Sequence, residues 1–269
     1  MPSVASRSKV LFMPDKRFWM ASLTCLGVAS GATAPLHAEE FTSNGVKIHY
    51  MIKGQGEPVI LVHGLYSSAK LNWEMPGTVA DLAKYYQVIA FDNRGHGQSD
   101  KPEAEDQYGV RMVEDVVRLM DHLHIARAHV VGYSLGAMIT LKLLTMHPER
   151  VRSAVLGGMG WLRADSPAQH FWEEVKGRRN TKVPAACVRG IAKLAVTEDQ
   201  IKAVRAPVTI IVGDRDPCRL LYVEPLRRVR PDWPEHVIQD AGHINCVLNP
   251  AFKTQIRAAL DQNRTTRSP

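Results

Sequence analysis

The sequence predicts an α/β protein with a mostly parallel sheet flanked by helices. Three observations carry this. Short apolar runs alternate with longer segments of helical periodicity over most of the 269 residues. Nothing repeats at a fixed period and no stretch is of low complexity, which excludes a solenoid. A content of 45% hydrophobic and 23% charged residues describes an ordinary globular chain, long enough for one α/β core.

Residues 1–38 read as an export signal. Lys16 and Arg17 precede an apolar segment from Phe18 to Ala34, and Leu36-His37-Ala38 offers a small residue at a cleavage point before Glu39. Met13 is an alternative start that would give a short basic region. The competing reading is a retained membrane anchor. Ser22, Thr24, Ser30 and Thr33 weaken it, because a span needs about 20 strongly apolar residues. The expectation is a periplasmic or extracellular protein with no stable span after cleavage, its domain covering 39–269.

The formal charge is +7, from 34 basic and 27 acidic residues. Removing the leader leaves a scattered excess that is not interleaved with aromatics, so no nucleic-acid surface is expected. Cys187, Cys218 and Cys246 remain, an odd number for an oxidising compartment. Either Cys218 and Cys246 form a bridge or all three are buried thiols.

The elements follow in order. Val46–Ile52 alternates after the Ser43-Asn44-Gly45 turn and reads as an early, antiparallel strand. Pro58–Val62 and Gln87–Phe91 are compact apolar runs suited to central strands. Trp73 to Tyr85, between them, is helical in pattern. Val110 to Leu123 places Val113, Val116, Val117, Met120 and Leu123 at three- and four-residue spacings, an amphipathic helix. Ala128–Val131 is a strand that runs into Gly132-Tyr133-Ser134-Leu135-Gly136 and then a helix ended near Pro148. Val151–Leu156, Val208–Val212 and His236–Gln239 are further strands, and a tail helix runs from Pro250 to Leu260. Residues 162–206 break the rhythm and read as a short helical lid after strand 6, whose last helix returns the chain to the sheet; the alternative is a long crossover helix.

The G-x-S-x-G stretch carries the chemistry. Between a strand and a helix it makes a sharp turn with the serine at its apex, and the flanking glycines let the two elements pass. The helix N-terminus beside the hydroxyl favours developing negative charge. A serine hydroxyl is a weak nucleophile until a base takes its proton, and that base needs a third group to orient it. Gly213-Asp214-Arg215-Asp216-Pro217 and Gly242-His243 each follow a strand, so both lie at the carboxyl edge where ligands bind in open α/β sheets.

These motifs resemble the α/β-hydrolase fold superfamily, in the serine-nucleophile, esterase- or lactonase-like group with an H-G oxyanion loop. His63-Gly64-Leu65 matches the H-G dipeptide, Asp92-Asn93-Arg94-Gly95-His96-Gly97-Gln98-Ser99 the D-x-R-G-x-G-x-S loop, Gly132–Gly136 the nucleophile elbow, Gly213–Pro217 the acid turn and Gly242-His243 the histidine turn. The resemblance covers about residues 40–260, with five motifs in family order, and it implies that the mostly parallel sheet is eight-stranded. It implies Ser134 as nucleophile, His243 as general acid–base and Asp216 as orienting carboxylate. Asp214 competes for the last role, but the family acid stands just before proline. The backbone N–H groups of Leu65 and Leu135 would form the oxyanion hole.

Other features read as structural. His63 sits beside the oxyanion loop, Asp92 and Arg94 hold loops together, and Arg94 alternatively meets an acidic substrate. His122 and His124 are two apart on a helix and point away from each other. Ser67-Ser68-Ala69-Lys70 fits S-x-x-K without its companion motifs. Trp73, Tyr66, Tyr133, Trp161 and Trp172 are candidates for a pocket wall. No metal or cofactor is expected. The resemblance implies a serine hydrolase acting on a small-molecule ester or lactone. C–C bond hydrolysis or perhydrolysis by the same triad is the alternative, and a ligand-binding relative without turnover is a third reading.

Overall fold

The computed structural model describes residues 37–164 and 182–265. Most of the expected leader and residues 165–181 of the expected lid lie outside the described residues. An eight-stranded sheet runs in the order β1-β2-β4-β3-β5-β6-β7-β8. Its strands are β1 (His37–Ser43), β2 (Val46–Lys53), β3 (Pro58–Val62), β4 (Gln87–Phe91), β5 (Ala128–Tyr133), β6 (Val151–Gly157), β7 (Val208–Gly213) and β8 (Glu235–Ile238). β2 pairs antiparallel with both β1 and β4, and every other pairing is parallel. The fold class is the one expected from the sequence.

Seven strands fall where the apolar runs place them. The eighth, β1, begins inside the last two residues assigned to the leader. Parallel strands buried on both faces need apolar side chains at every position. β5 shows both faces, with Val130 in the core on one and Val131 in the core on the other, while its polar member, His129, is buried against Ser153 Oγ.

Helices cover both faces. α2 (Val110–His122) and α3 (Leu135–Met146) pack on one side with α4 (Ala185–Gly190), α5 (Glu198–Ala203) and α6 (Glu224–Val229). α1 (Thr78–Leu82) and α7 (Pro250–Gln262) cover the other. The α1 region is broken: a π-helical turn over Lys70–Glu74 precedes it, and Gly77 at φ 80° separates the two. A continuous helix from Trp73 to Tyr85 does not form, because Pro76-Gly77 interrupts it.

The described part of the expected lid, 182–206, packs its apolar side chains into the core. Cys187, Ile191, Leu194 and Ile201 are buried in the cluster shared with α2 and α3. α5 starts with a capping box, Thr197 Oγ1 accepting the Gln200 N–H while the Gln200 side chain accepts the Thr197 N–H. Among the described residues no helix is long and apolar enough to cross a membrane.

Candidate active site

Three parallel strands deliver the site at their carboxyl ends. Ser134 follows β5, Asp216 lies three residues beyond β7, and His243 stands in the loop after β8. His243 Nε2 is 2.8 Å from Ser134 Oγ, and Nδ1 is 2.8 Å from Asp216 Oδ2. Both are ordinary hydrogen-bond lengths, so the three residues form one continuous chain of bonds. The Asp216 side chain is fully buried and that of His243 is 24% exposed, which leaves the imidazole open to a substrate and its orienting group out of water.

The local backbone explains the serine's position. Ser134 has φ 55° and ψ −116°, a left-handed conformation that strains a residue bearing a Cβ. The turn closes because Gly132 and Gly136 have no side chains. A Cβ on Gly132 would run into the Gly136 carbonyl, and one on Gly136 into the carbonyl of Val62. The Ser134 N–H donates to Gly157 O at 2.8 Å, tying the elbow to β6.

Asp216 and Asp214 have separate tasks. Asp216 Oδ2 faces His243 while Oδ1 accepts the Cys218 N–H at 2.9 Å. Asp214 Oδ1 accepts the Ala241 N–H at 2.9 Å and pins the histidine turn from outside. Only Asp216 touches the imidazole.

Leu135 follows Ser134 in the chain, and Leu65 lines the same cleft as Ser134. No described residue accepts a hydrogen bond from either backbone N–H. Leu135 opens α3, where the first N–H groups have no partner within the helix. The His63-Gly64-Leu65 turn is held by Asn72, whose Oδ1 accepts the Gly64 N–H at 2.9 Å. Asn72 is buried on the π-helical turn. Its role is not legible from sequence, since the contact depends on that irregular turn.

Tyr133 was also missed as a positioning group. Its hydroxyl donates to the His243 carbonyl at 2.5 Å, across 110 residues of chain, and its ring lies 5.6 Å from the imidazole. Burial pushes its pKa up, so the hydroxyl stays a donor.

The remaining candidates are structural. His63 is fully buried, with Nδ1 2.7 Å from Gly64 O and Nε2 accepting the Asn93 N–H at 3.0 Å. Those two bonds require the neutral Nδ1–H tautomer, and burial lowers its pKa to match. Asp92 accepts the Ala69 and Gln98 N–H groups, each at 2.8 Å. Arg94 cannot meet an acidic substrate: it is buried, bonded to Asp115 at 2.5 and 2.6 Å, and Asp115 also accepts from Ser43 Oγ. Ser68 Oγ of the S-x-x-K stretch accepts the Leu71 N–H in a turn. His122 bonds with Tyr50 and stacks on Phe41. Tyr66 and Tyr133 line the cleft, whereas Trp73 and Trp161 are packed inside; Trp172 lies outside the described residues.

Cys187, Cys218 and Cys246 are buried free thiols, so the Cys218–Cys246 bridge is not formed. Burial, reinforced by the Asp216 carboxylate, pushes Cys246 up to about 12 and Cys218 higher. Asp216, Cys218 and His243 have ligand-type atoms within 4.8 Å of one another. They make a poor metal site, because both Asp216 oxygens accept protein N–H bonds and the thiol is held protonated.

An elbow serine, a histidine after the last strand and an eight-stranded sheet form one topology, and the comparisons agree. Residues 57–186 match the alpha/beta hydrolase fold family. The meta-cleavage product hydrolase of Pseudomonas fluorescens IP01 superposes with a TM-score of 0.68, at 24% identity, over 84% of this chain and 98% of that one. The chain has the α/β-hydrolase fold. A structure described as Est816, an N-acyl homoserine lactone degrading enzyme, gives a TM-score of 0.68 at 24% identity, over 82% of this chain and 99% of that one. By sequence, the chain is 37% identical to the 2-hydroxymuconate semialdehyde hydrolase of Pseudomonas sp. (strain CF600) over 128 residues, 46% of this chain and 44% of that protein. It is 32% identical to the 2-hydroxy-6-oxo-6-(2'-aminophenyl)hexa-2,4-dienoic acid hydrolase of Metapseudomonas resinovorans over 129 residues, 47% of this chain and 44% of that protein. These matches span somewhat less than half the length of the curated relatives.

Proposed function

We propose that the protein is a cofactor-independent serine hydrolase that cleaves a small carboxylic ester or lactone through an acyl-enzyme on Ser134. The observation that carries the reading is the His243 ring, bonded to Ser134 Oγ through one nitrogen and to Asp216 through the other, each at 2.8 Å. His243 Nε2 takes the hydroxyl proton as Oγ bonds to the carbonyl carbon, and the π pair moves onto oxygen. The Leu65 and Leu135 N–H groups receive that charge, each worth about 10²–10³ in rate. Collapse breaks the bond to the leaving oxygen, which takes the proton from His243. Water then repeats the sequence, frees the acid and restores Ser134. Asp216 keeps the proton on Nδ1, so Nε2 remains the acceptor.

Ser134→Ala tests the proposal: kcat on 4-nitrophenyl esters falls by about 10⁴–10⁶. Turnover that survives the substitution refutes it. C–C bond hydrolysis by the same triad is the second reading, supported by the likeness to the two named hydrolases. Loss of the absorbance of a 2-hydroxy-6-oxo-dienoate, run beside the ester panel with and without peroxide, separates C–C hydrolysis, ester hydrolysis and perhydrolysis. A ligand-binding role would leave an organophosphonate unreacted at Ser134. We also propose export, from the leader at 1–38; the secreted protein then has an intact mass beginning at Glu39, and a mass that retains Phe18–Ala34 refutes it.

A further inference from the structure

The cleft over Ser134 has a volume of about 360 Å³, at the lower end of the range for small-molecule sites. One wall is the 65–75 segment and the other the loop after His243. Leu71, Met75, Ile244 and Leu248 stand on its rim, 52%, 67%, 67% and 54% exposed. They are four of the six large apolar side chains left exposed among the described residues, so apolar exposure is concentrated at this mouth. Scattered exposed leucines need no explanation, but a cluster continuous with a nucleophile does.

The lining is also without a countercharge. Among the described residues it contains no lysine, arginine, aspartate or glutamate, and His243 is its one ionisable side chain apart from the tyrosines. Lys70, beside Leu71 in the chain, is not part of it. The Asn72 carbonyl oxygen is committed to the Gly64 N–H, and Arg94 is locked to Asp115 in the core. A carboxylate entering this cleft would lose water and meet no cation among the described residues, only neutral donors such as the Ser67 hydroxyl and the Asn72 amide, whereas an alkyl chain would cover four exposed apolar side chains.

We propose that the site takes uncharged alkanoyl esters, with the acyl chain lying along Leu71, Met75, Ile244 and Leu248, and discriminates against substrates with a carboxylate at that end. This rests on the serine-hydrolase reading and adds the substrate class to it. Each methylene removed from water is worth up to about fourfold, and a half-exposed rim returns part of that.

The test compares kcat/KM for 4-nitrophenyl acetate, 4-nitrophenyl hexanoate and the mono-4-nitrophenyl ester of adipate, which has the hexanoate length with a terminal carboxylate. All are kept below aggregation. Hexanoate is expected to exceed acetate by about tenfold or more, and the adipate half-ester by about fiftyfold or more. Leu248→Arg and Met75→Arg replace exposed side chains and supply the missing cation. Each is expected to shrink the hexanoate-to-adipate ratio about tenfold. A wild-type protein that cleaves hexanoate and the half-ester alike, or a ratio that neither variant moves, overturns the substrate class and leaves the hydrolase reading standing. No Ser134-dependent cleavage of any of the three esters overturns both.

Discussion

Asp216→Asn changes one atom in the hydrogen-bonded chain and isolates the orienting role. In the native site Oδ1 accepts from Cys218 N–H and Oδ2 from His243 Nδ1–H, so both oxygens face donors. An asparagine has one oxygen to offer. The Cys218 N–H is a fixed main-chain donor, so the amide oxygen turns to it and the NH₂ group faces Nδ1. The imidazole must then accept at Nδ1 and carry its proton on Nε2, where it can no longer take one from Ser134. A wrong tautomer at this position in a serine-hydrolase triad costs about 10⁴ in kcat, or about 5.4 kcal/mol at 1.36 kcal/mol per tenfold. The assay is kcat on a 4-nitrophenyl ester, with a melting curve to confirm the fold. Asp214→Asn is the control: its amide oxygen still accepts the Ala241 N–H, so the loss stays below about tenfold. If Asp216→Asn stays within tenfold of the native enzyme, or Asp214→Asn falls as far, the orientation argument is wrong.

Other expectations follow from the same geometry. Tyr133→Phe removes the bond to the His243 carbonyl, so kcat drops by up to about tenfold while KM holds; an unchanged kcat makes the hydroxyl irrelevant. Arg94→Met strands the Asp115 carboxylate in the core and costs about 3–5 kcal/mol, read by denaturant unfolding and recovered in part by adding Asp115→Leu. Burial pushes His96 down to about 3, so between there and about 6.5 the unfolded chain binds a proton that the native one refuses. Stability from this group is present above about 6.5 and falls by roughly 2 kcal/mol at pH 5. His96→Gln should flatten that slope in urea titrations by about one proton, and an unaltered slope contradicts the assignment.

Much of this arrangement was legible because it is local. Pro58–Val62, Gln87–Phe91 and Val208–Val212 announce themselves as compact, mostly apolar runs, and Ser134, Asp216 and His243 sit in motifs a few residues long. The strand at His37–Ser43 was not legible: Glu39, Glu40, Thr42 and Ser43 leave Phe41 as its one large apolar side chain, and the leader reading claimed its start. Asn72 and Tyr133 were hidden for a different reason. Their partners are main-chain groups of Gly64 and His243, whose positions no side-chain pattern encodes. The same limit applies to Arg94, for which an acidic substrate was one expectation. A loop arginine looks available until the fold closes Asp115 and Gln107 around it.

At residue 134 two demands on the chain oppose each other. The torsion that lifts the hydroxyl clear of the backbone, φ 55° with ψ −116°, is one that glycine adopts freely and serine does not. A Ser134→Gly substitution would abolish the chemistry and release roughly 1–3 kcal/mol of conformational tension, less the greater entropy of an unfolded glycine. Folding alone would thus choose the inert residue. Under the proposed mechanism, a serine at this position is held against the preference of the fold itself.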